Sequence, residues 1–228
     1  MGRDLYAALS GAYASMRRLD TVAQNLANVS TTGYKSQRLT TEATGQGGAY
    51  ARIAEGLYDM QDGAVVRTDH PTDVAVQGEG WLVLDGGDGP MLTRDGRLRP
   101  DPEGTLRDPN GRAVMGQLGS IQVPHGETVR IEADGTVVGS ESGPIDRLRV
   151  VAANASPMGG NVWAADGPMT DLSDGEVQLV PGAVEGSNVD PMRAMVELVE
   201  ASRNFEAFQK AMQTSDDTDA RLNELGRS

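Results

Sequence analysis

Glycine and proline are confined to the middle of this 228-residue chain, and that confinement decides where helices can form. Of 29 glycines, three lie in residues 1–36, twenty-five in residues 37–190 and one in residues 191–228; all eleven prolines fall between Pro71 and Pro191. Inside a helix glycine costs about 1 kcal/mol and proline about 3 kcal/mol. Long helices are therefore predicted only at the two ends, with a turn-dense region between them. Charge divides at the same places. The net charge of −13 is +2 in residues 1–36, −12 in residues 37–187 and −3 in residues 188–228.

In the N-terminal segment the apolar residues Leu5, Leu9, Ala12, Met16, Leu19, Ala23 and Leu26 recur at alternating spacings of four and three. That is the a/d seam of a coiled coil over three heptads. Tyr6, Ala8 and Val22 widen the stripe, and Gly33 is placed to stop the chain in a left-handed turn. The C-terminal segment opens on Asn188-Val189-Asp190-Pro191, in which Asp190 can cap and Pro191 fits the first helical position. Ala194, Leu198, Ala201, Phe205, Phe208 and Met212 then continue the same spacing, with Met195, Val196 and Val199 as a second apolar row. The seam decays at Ser215 and Asp219 and resumes weakly at Leu222 and Leu225, so fraying or a break is expected near Ser215-Asp216-Asp217. The pattern fits two helices that pack on each other or on the middle, and equally helices that meet partner helices.

The middle carries seven Asp-Gly dipeptides and Asn110-Gly111, the sequence signals for tight hairpins. Between them run short alternating stretches such as Trp81-Leu82-Val83-Leu84, Thr128–Ile131, Thr136–Val138, Arg147–Val151 and Glu176–Val180. Many short strands without a 3.6-residue period predict an all-β domain. The fold class is therefore α+β: N- and C-terminal helices forming a coiled-coil-like pair, with a central all-β domain of short strands. The expected boundaries are residues 1–35 for the first helix, 36–73 for an extended linker or loop region, 74–187 for the β domain and 188–228 for the second helix. Within 36–73, residues 40–49 read as a flexible excursion, and 53–58 and 64–67 as possible strands.

Chemistry is hard to place on this chain. It has no cysteine, which excludes disulfides, cysteine-ligated metals and cysteine nucleophiles. His70 and His125 sit beside prolines in loop sequence. Phosphate-loop, dinucleotide, nucleophile-elbow and zinc-protease motifs are absent. Strong acidity disfavours nucleic acid. Asp101, Glu103, Asp108 and Asn110 suggest an acidic calcium-binding secreted β protein as an alternative, but they lack the calcium-loop spacing. No catalytic, cofactor or metal residue is assigned, and neither an enzyme nor a small-molecule binder is expected. No apolar run reaches the length of a membrane span, and the first residues lack the apolar core of a cleavable signal peptide.

Three blocks resemble one family. Ser10-Gly11-Ala12, followed by Leu19-Asp20-Thr21-Val22-Ala23-Gln24-Asn25-Leu26-Ala27-Asn28-Val29-Ser30-Thr31-Thr32-Gly33-Tyr34-Lys35, is similar to the N-terminal signature of flagellar rod and hook proteins, departing from it at Gln24. Gly78–Val83, Leu92–Gly96 and Gly111–Gly116 resemble the family's β domain, and Ser187–Pro191 with Ala194–Leu198 and Ala201–Glu206 its closing helix. The length is too short for the inserted outer domain of hook proteins. The Arg203-x-Phe205 pair and Lys210–Thr214 side with the proximal rod branch that has a β domain, with the distal rod branch as the alternative.

The resemblance implies a structural subunit of the basal-body rod in the periplasm, exported unfolded by the flagellar type III apparatus without a cleavable signal. Its partners would be further copies of itself, other rod proteins and the export apparatus. Polymerisation through the terminal helices would build an axial shaft that transmits torque. The expected interface positions are Leu5, Leu9, Met16, Leu19 and Leu26 on one helix and Leu198, Phe205, Phe208 and Met212 on the other. The family-motif positions are Asn25, Asn28, Gly33, Tyr34, Asn188 and Asp190. Because isolated helices need packing partners, the ends are expected to order on assembly.

Overall fold

The structure, a computed structural model, describes residues 2–44, 50–159, 161–173 and 175–225, and side chains among these outside residues 2–8, 41–44, 50–56 and 215–225. The chain forms two compact units. The first comprises residues 1–29, 35–60 and 189–228, and the second residues 30–34 and 61–188.

The first unit holds α1 (Gly2–Ala27), a β-hairpin of β1 (Gln37–Thr44) and β2 (Tyr50–Tyr58), and α2 (Pro191–Leu225). α1 packs against both α2 and the hairpin. β1 and β2 pair antiparallel from Gln37 opposite Tyr58 to Thr44 opposite Tyr50, with a register shift between Arg38 and Thr40. The possible strands at 53–58 and 64–67 fall in β2 and in β3 (Val65–Arg67); of the expected excursion, residues 40–44 belong to β1 and 45–49 lie outside the described residues. α2 also departs from expectation, because it runs unbroken through Ser215-Asp216-Asp217. Neither glycine nor proline occurs between Pro191 and Leu225, and serine and aspartate cost a helix only about 0.5 kcal/mol each. That is too little to interrupt a helix anchored upstream. The side chains of Leu5, Leu222 and Leu225 lie outside the described residues.

The second unit is built from short strands, as the alternating stretches predict. In chain order they are β3 (Val65–Arg67), β4 (Val74–Gln77), β5 (Trp81–Asp85), β6 (Pro90–Thr93), β7 (Arg99–Pro100), β8 (Leu106–Arg107), β9 (Val129–Ile131) and β10 (Thr136–Gly139). They continue with β11 (Gly143–Arg147), β12 (Val150–Ala152), β13 (Ala155–Gly159), β14 (Val162–Ala165), β15 (Thr170–Asp171), β16 (Gln178–Pro181) and β17 (Ala183–Glu185). The main sheet has the order β13-β14-β6-β5-β12-β15, and β11-β10-β9 form a second sheet. β16 pairs with β4, β17 with β3, and β7 with β8. All of these pairings are antiparallel. Leu82, Leu84, Leu98, Leu106, Val114 and Ile121 lie at the centre of one continuous apolar core. The ring centroids of Trp81 and Trp163 stand 5.2 Å apart.

The Asp-Gly dipeptides do less turning than their sequence suggests. Gly135 takes a left-handed φ of +85° in the turn joining β9 to β10, but Gly63, Gly86, Gly96 and Gly167 do not. Gly63 and Gly96 instead lie against the carbonyls of Gly186 and Val74, where a β-carbon has no room. Close backbone approach, rather than a primed turn, is what requires glycine there.

Candidate assembly interface

The heptad pattern of α1 resolves into two rows with different fates. Ala12 is buried and Leu19 and Leu26 are half-buried, whereas Leu9 (47% exposed), Met16 (45%) and Ala23 are open to solvent. At about 100° per residue, the second row lies some 40–60° round the helix from the first. In this chain α2 covers the first row and leaves the second open. Tyr13 belongs to the open row, midway between Leu9 and Met16, and is also exposed. The Arg17 guanidinium sits 5.7 Å over its ring and donates to its hydroxyl at 3.1 Å.

α2 is divided in the same way. Ala194 and Ala201 are buried, and Leu198, Phe205, Phe208 and Met212 are half-buried on the same face. A β-carbon added at Gly11 of α1 would stand 2.8 Å from the Phe208 ring, so the two helices meet here at glycine distance. The second apolar row, Met195, Val196 and Val199, is exposed together with Met192. The expected interface residues therefore fall into two groups. Leu19, Leu26, Leu198, Phe205, Phe208 and Met212 are shielded within the single chain, and Leu9 and Met16 are not.

The motif residues each hold backbone. Asn25 pairs reciprocally with Gln37, donating from Nδ2 to its carbonyl at 2.8 Å and accepting its N–H at 2.9 Å. This ties the end of α1 to the first residue of β1. Asn28 Nδ2 donates to the Gln24 carbonyl at 2.9 Å, which also accepts the Asn28 N–H at 3.2 Å, so the residue closes the last turn of α1. Asp190 Oδ1 accepts from the N–H groups of Met192 at 2.9 Å and Arg193 at 3.1 Å, as an N-cap does.

Gly33, Tyr34 and Asn188 belong to the β unit. Gly33 has φ +68°, and its N–H donates to the Glu185 carbonyl at 2.7 Å. Its Cα lies against Arg94, so a β-carbon there would come within 2.6 Å of the Arg94 carbonyl carbon. Asn188 donates its N–H to the Tyr34 carbonyl and its Nδ2 to the Gln61 carbonyl. Asn161 Nδ2 donates to the Thr32 carbonyl.

Beneath these contacts lies a buried ion pair that sequence reading missed. Arg94 is 3% exposed and Glu185 1% exposed, with Arg94 Nη1 at 3.4 Å from Glu185 Oε2 and at 3.4 Å from Asp62 Oδ1. Arg94 Nη2 donates to the Gly78 carbonyl at 2.6 Å, and the guanidinium lies 5.1 Å over the Trp81 ring. Glu185 Oε1 accepts the Gly63 N–H at 2.9 Å. This pair ties together the segments by which the chain enters and leaves the β unit, at 31–34, 61–63 and 185–188. Arg94 falls in the Leu92–Gly96 block, but nothing in the local sequence marks the two as partners, because their meeting joins the end of β6 to β17, 91 residues apart.

The acidic cluster offered as a calcium site is neutralised by arginines. Asp101 is paired with Arg107, which together with the Thr105 N–H holds its carboxyl below the usual carboxylate range. Asp108 is bound by Arg112 at 3.0 Å. A groove of about 900 Å³ in the β unit has Asp134 and Asp171 on its wall. The first accepts from the Thr136 N–H and hydroxyl, and the second pairs with Arg149 at 2.6 Å. Neither is poised as a free acid or base. Among the described residues no group of His, Asp or Glu is arranged to hold a metal, and no helix is long and apolar enough to cross a membrane.

Comparison with known proteins gives matches at both ends and in the middle. The family model "Flagella basal body rod protein" matches residues 5–35. The model "Flagellar hook protein FlgE/F/G D1 domain" matches 75–139, and "Flagellar basal body rod FlgEFG protein C-terminal" matches 180–225. The chain is 31% identical to the flagellar basal-body rod protein FlgF of Escherichia coli (strain K12), over 99% of this chain and 98% of that one. It is 32% identical to FlgF of Mesorhizobium japonicum over 99% of both chains, and 30% identical to the rod protein FlgG of Borreliella burgdorferi over the whole of both.

Proposed function

The chain belongs to the flagellar basal-body rod protein family, and from that premise we propose that it is a structural, non-enzymatic subunit of the rod that assembles through its terminal helices. The observation that carries this reading is the pair of apolar rows that the folded chain leaves uncovered, Leu9–Tyr13–Met16 on α1 and Met192–Val199 on α2. Contiguous exposed apolar side chains on packed helices mark an association surface. Further copies and other rod proteins cover those rows in the rod. The assembled helices carry torque along the periplasmic shaft, and the β unit adds contacts of its own. A cysteine-free chain suits export through the flagellar type III apparatus, since no disulfide can form before threading.

The test is incorporation into basal bodies purified from cells lacking the native protein. The full chain is expected there. A Leu19→Asp chain is expected to be missing while its tryptophan emission stays native, because Leu19 lies in the shielded row of α1 and both tryptophans lie in the β unit. Recovery of Leu19→Asp at the level of the unaltered chain would overturn assembly through the terminal helices.

A further inference from the structure

The last residues of the β unit bind its first. Residues 178–188 form a narrow strip in which β16 pairs with β4, from Gln178 opposite Gln77 to Pro181 opposite Val74, and β17 pairs with β3, from Ala183 opposite Arg67 to Glu185 opposite Val65. Among the described residues β3 and β4 pair with no other strand. The backbone between and beyond these pairings is bonded as well. The Gly182 N–H donates to the Asp73 carbonyl, the Gly182 carbonyl accepts from the Thr68 and Asp69 N–H groups, and the Gly186 N–H donates to the Ala64 carbonyl. Glu185 reaches Gly63 across 122 residues of chain, and Asn188 reaches Gln61 across 127.

The strip completes what the rest of the unit leaves open. Val74, Ala75 and Val76 of β4 are fully buried, and Val74, Val76 and Leu179 belong to the one apolar core. Glu185 is the buried counter-ion of Arg94. Asp62, the second carboxylate beside Arg94, stands at the surface, where water screens it. Without the strip β4 loses its strand partner and a buried guanidinium loses its buried carboxylate. Either loss is large against the narrow margin by which a domain is stable. Contacts between such distant residues are also made against the entropy of the whole intervening loop, so they form late.

We propose that residues 178–188 are a closing strap, and that the core of the β unit stays open until the strap docks. The strap joins the two ends of the unit. The unit can therefore close only when both ends are on the same side of a barrier, whichever end crosses first. Synthesis runs from the N-terminus, so everything the strap touches is made before it. The exit tunnel of the ribosome hides the most recent few tens of residues, and α2, 35 residues long, follows the strap. Most of α2 is thus made before the strap reaches solvent, and the β unit is still open at that point. An open unit is the state that threading through a narrow export channel requires; this last step rests on the reading given under Proposed function.

The natural chain has no thiol, so a single cysteine reports on the core. Val114 is fully buried, lies outside the strap and is synthesised before it. The full-length Val114→Cys chain is labelled with a maleimide in three states. One is released from the ribosome, one is stalled with 178–188 inside the tunnel, and one is stalled after an unstructured extension has carried 178–225 outside. The released chain and the extended stalled chain are expected to be protected. The chain stalled with its strap hidden is expected to lose that protection and to label at the rate of the urea-unfolded chain. Protection in that chain overturns the proposal, because the core then packs without the strap. Labelling of both stalled chains beside a protected released one overturns the strap as the deciding element. Val137→Cys, equally buried in β10, repeats the test and replaces Val114→Cys if the released Val114→Cys chain does not fold. Neither arm needs a flagellum. Absence of the chain from basal bodies overturns the assembly reading and leaves the strap standing, and early protection of the core does the reverse.

Discussion

Replacing Arg94 with methionine removes the positive half of the buried pair while keeping most of its volume. Glu185, 1% exposed, is then left with a carboxylate in a nearly dry site. Removing one partner of a buried pair costs about 3–5 kcal/mol, whereas replacing both by neutral groups is often close to neutral. The lower half of that range is expected here, because Glu185 Oε1 keeps the Gly63 N–H. The bond to the Gly78 carbonyl and the stacking on Trp81 are lost as well. Against a typical total of about 5–15 kcal/mol, the β unit of about 130 residues should melt about 10–15 °C lower. The assay is thermal unfolding followed by tryptophan emission, since Trp81 and Trp163 both report on this unit alone. A double variant, Arg94→Met/Glu185→Gln, should recover at least half of the loss, and the four chains form a double-mutant cycle. An Arg94→Met chain that melts within about 2 °C of the natural one would refute the argument that the pair holds the three crossing segments together.

Two further outcomes follow from the same reasoning. Asn25→Ala strips both polar partners from the Gln37 backbone and should cost about 1–3 kcal/mol in the helical unit, read as lost helicity on mild heating; Asn25→Asp, which keeps the acceptor, should cost less. Acid should weaken the β unit. Asp134, bound by the Thr136 N–H and hydroxyl, Glu127, bound by Ser142, and Asp101, bound by Arg107, all titrate below their ordinary values. Their contribution is present above the unfolded-state values and is lost as pH falls through the folded ones, so the melting temperature should hold from neutral pH to about 5 and fall below about 4. A melting temperature that stays level down to pH 2 would contradict this.

The sequence legibly placed helices at the ends and strands in the middle, because both follow from local rules. Leu82 and Leu84 face a core at period two, and Ala194, Leu198 and Ala201 face a helix at period 3.5. The two rows of α1 were less legible. Leu9 and Ala12 look alike in a heptad, and only the position of α2 decides which of them is covered. Arg94 and Glu185 were not legible at all, since neither neighbours the other in sequence and no periodicity predicts a buried charge. Gly33 lay between these cases. Its turn follows from the end of the helix pattern, but its close approach to Arg94 depends on the β unit's own fold. The hairpin β1–β2 was obscured by its glycine-rich connection and by small residues that alternate weakly.

Small residues on the buried faces link composition to assembly. Ala12, Ala194 and Ala201 bring the helices close but remove little apolar area from water. A methylene contributes about 0.8 kcal/mol on burial, so an alanine seam holds two helices together less firmly than a leucine seam would. Leu19, Leu26, Leu198, Phe205, Phe208 and Met212 are only half-buried beside them, and Leu9, Tyr13, Met16, Met192 and Met195 are left outside. A large part of the apolar area on these helices therefore leaves water only when another chain covers it. An isolated copy then keeps a weakly held helical unit beside a β unit with a full core of its own. Under the proposed assembly through these helices, covering the exposed rows stabilises the helical unit, so binding and helix ordering are coupled.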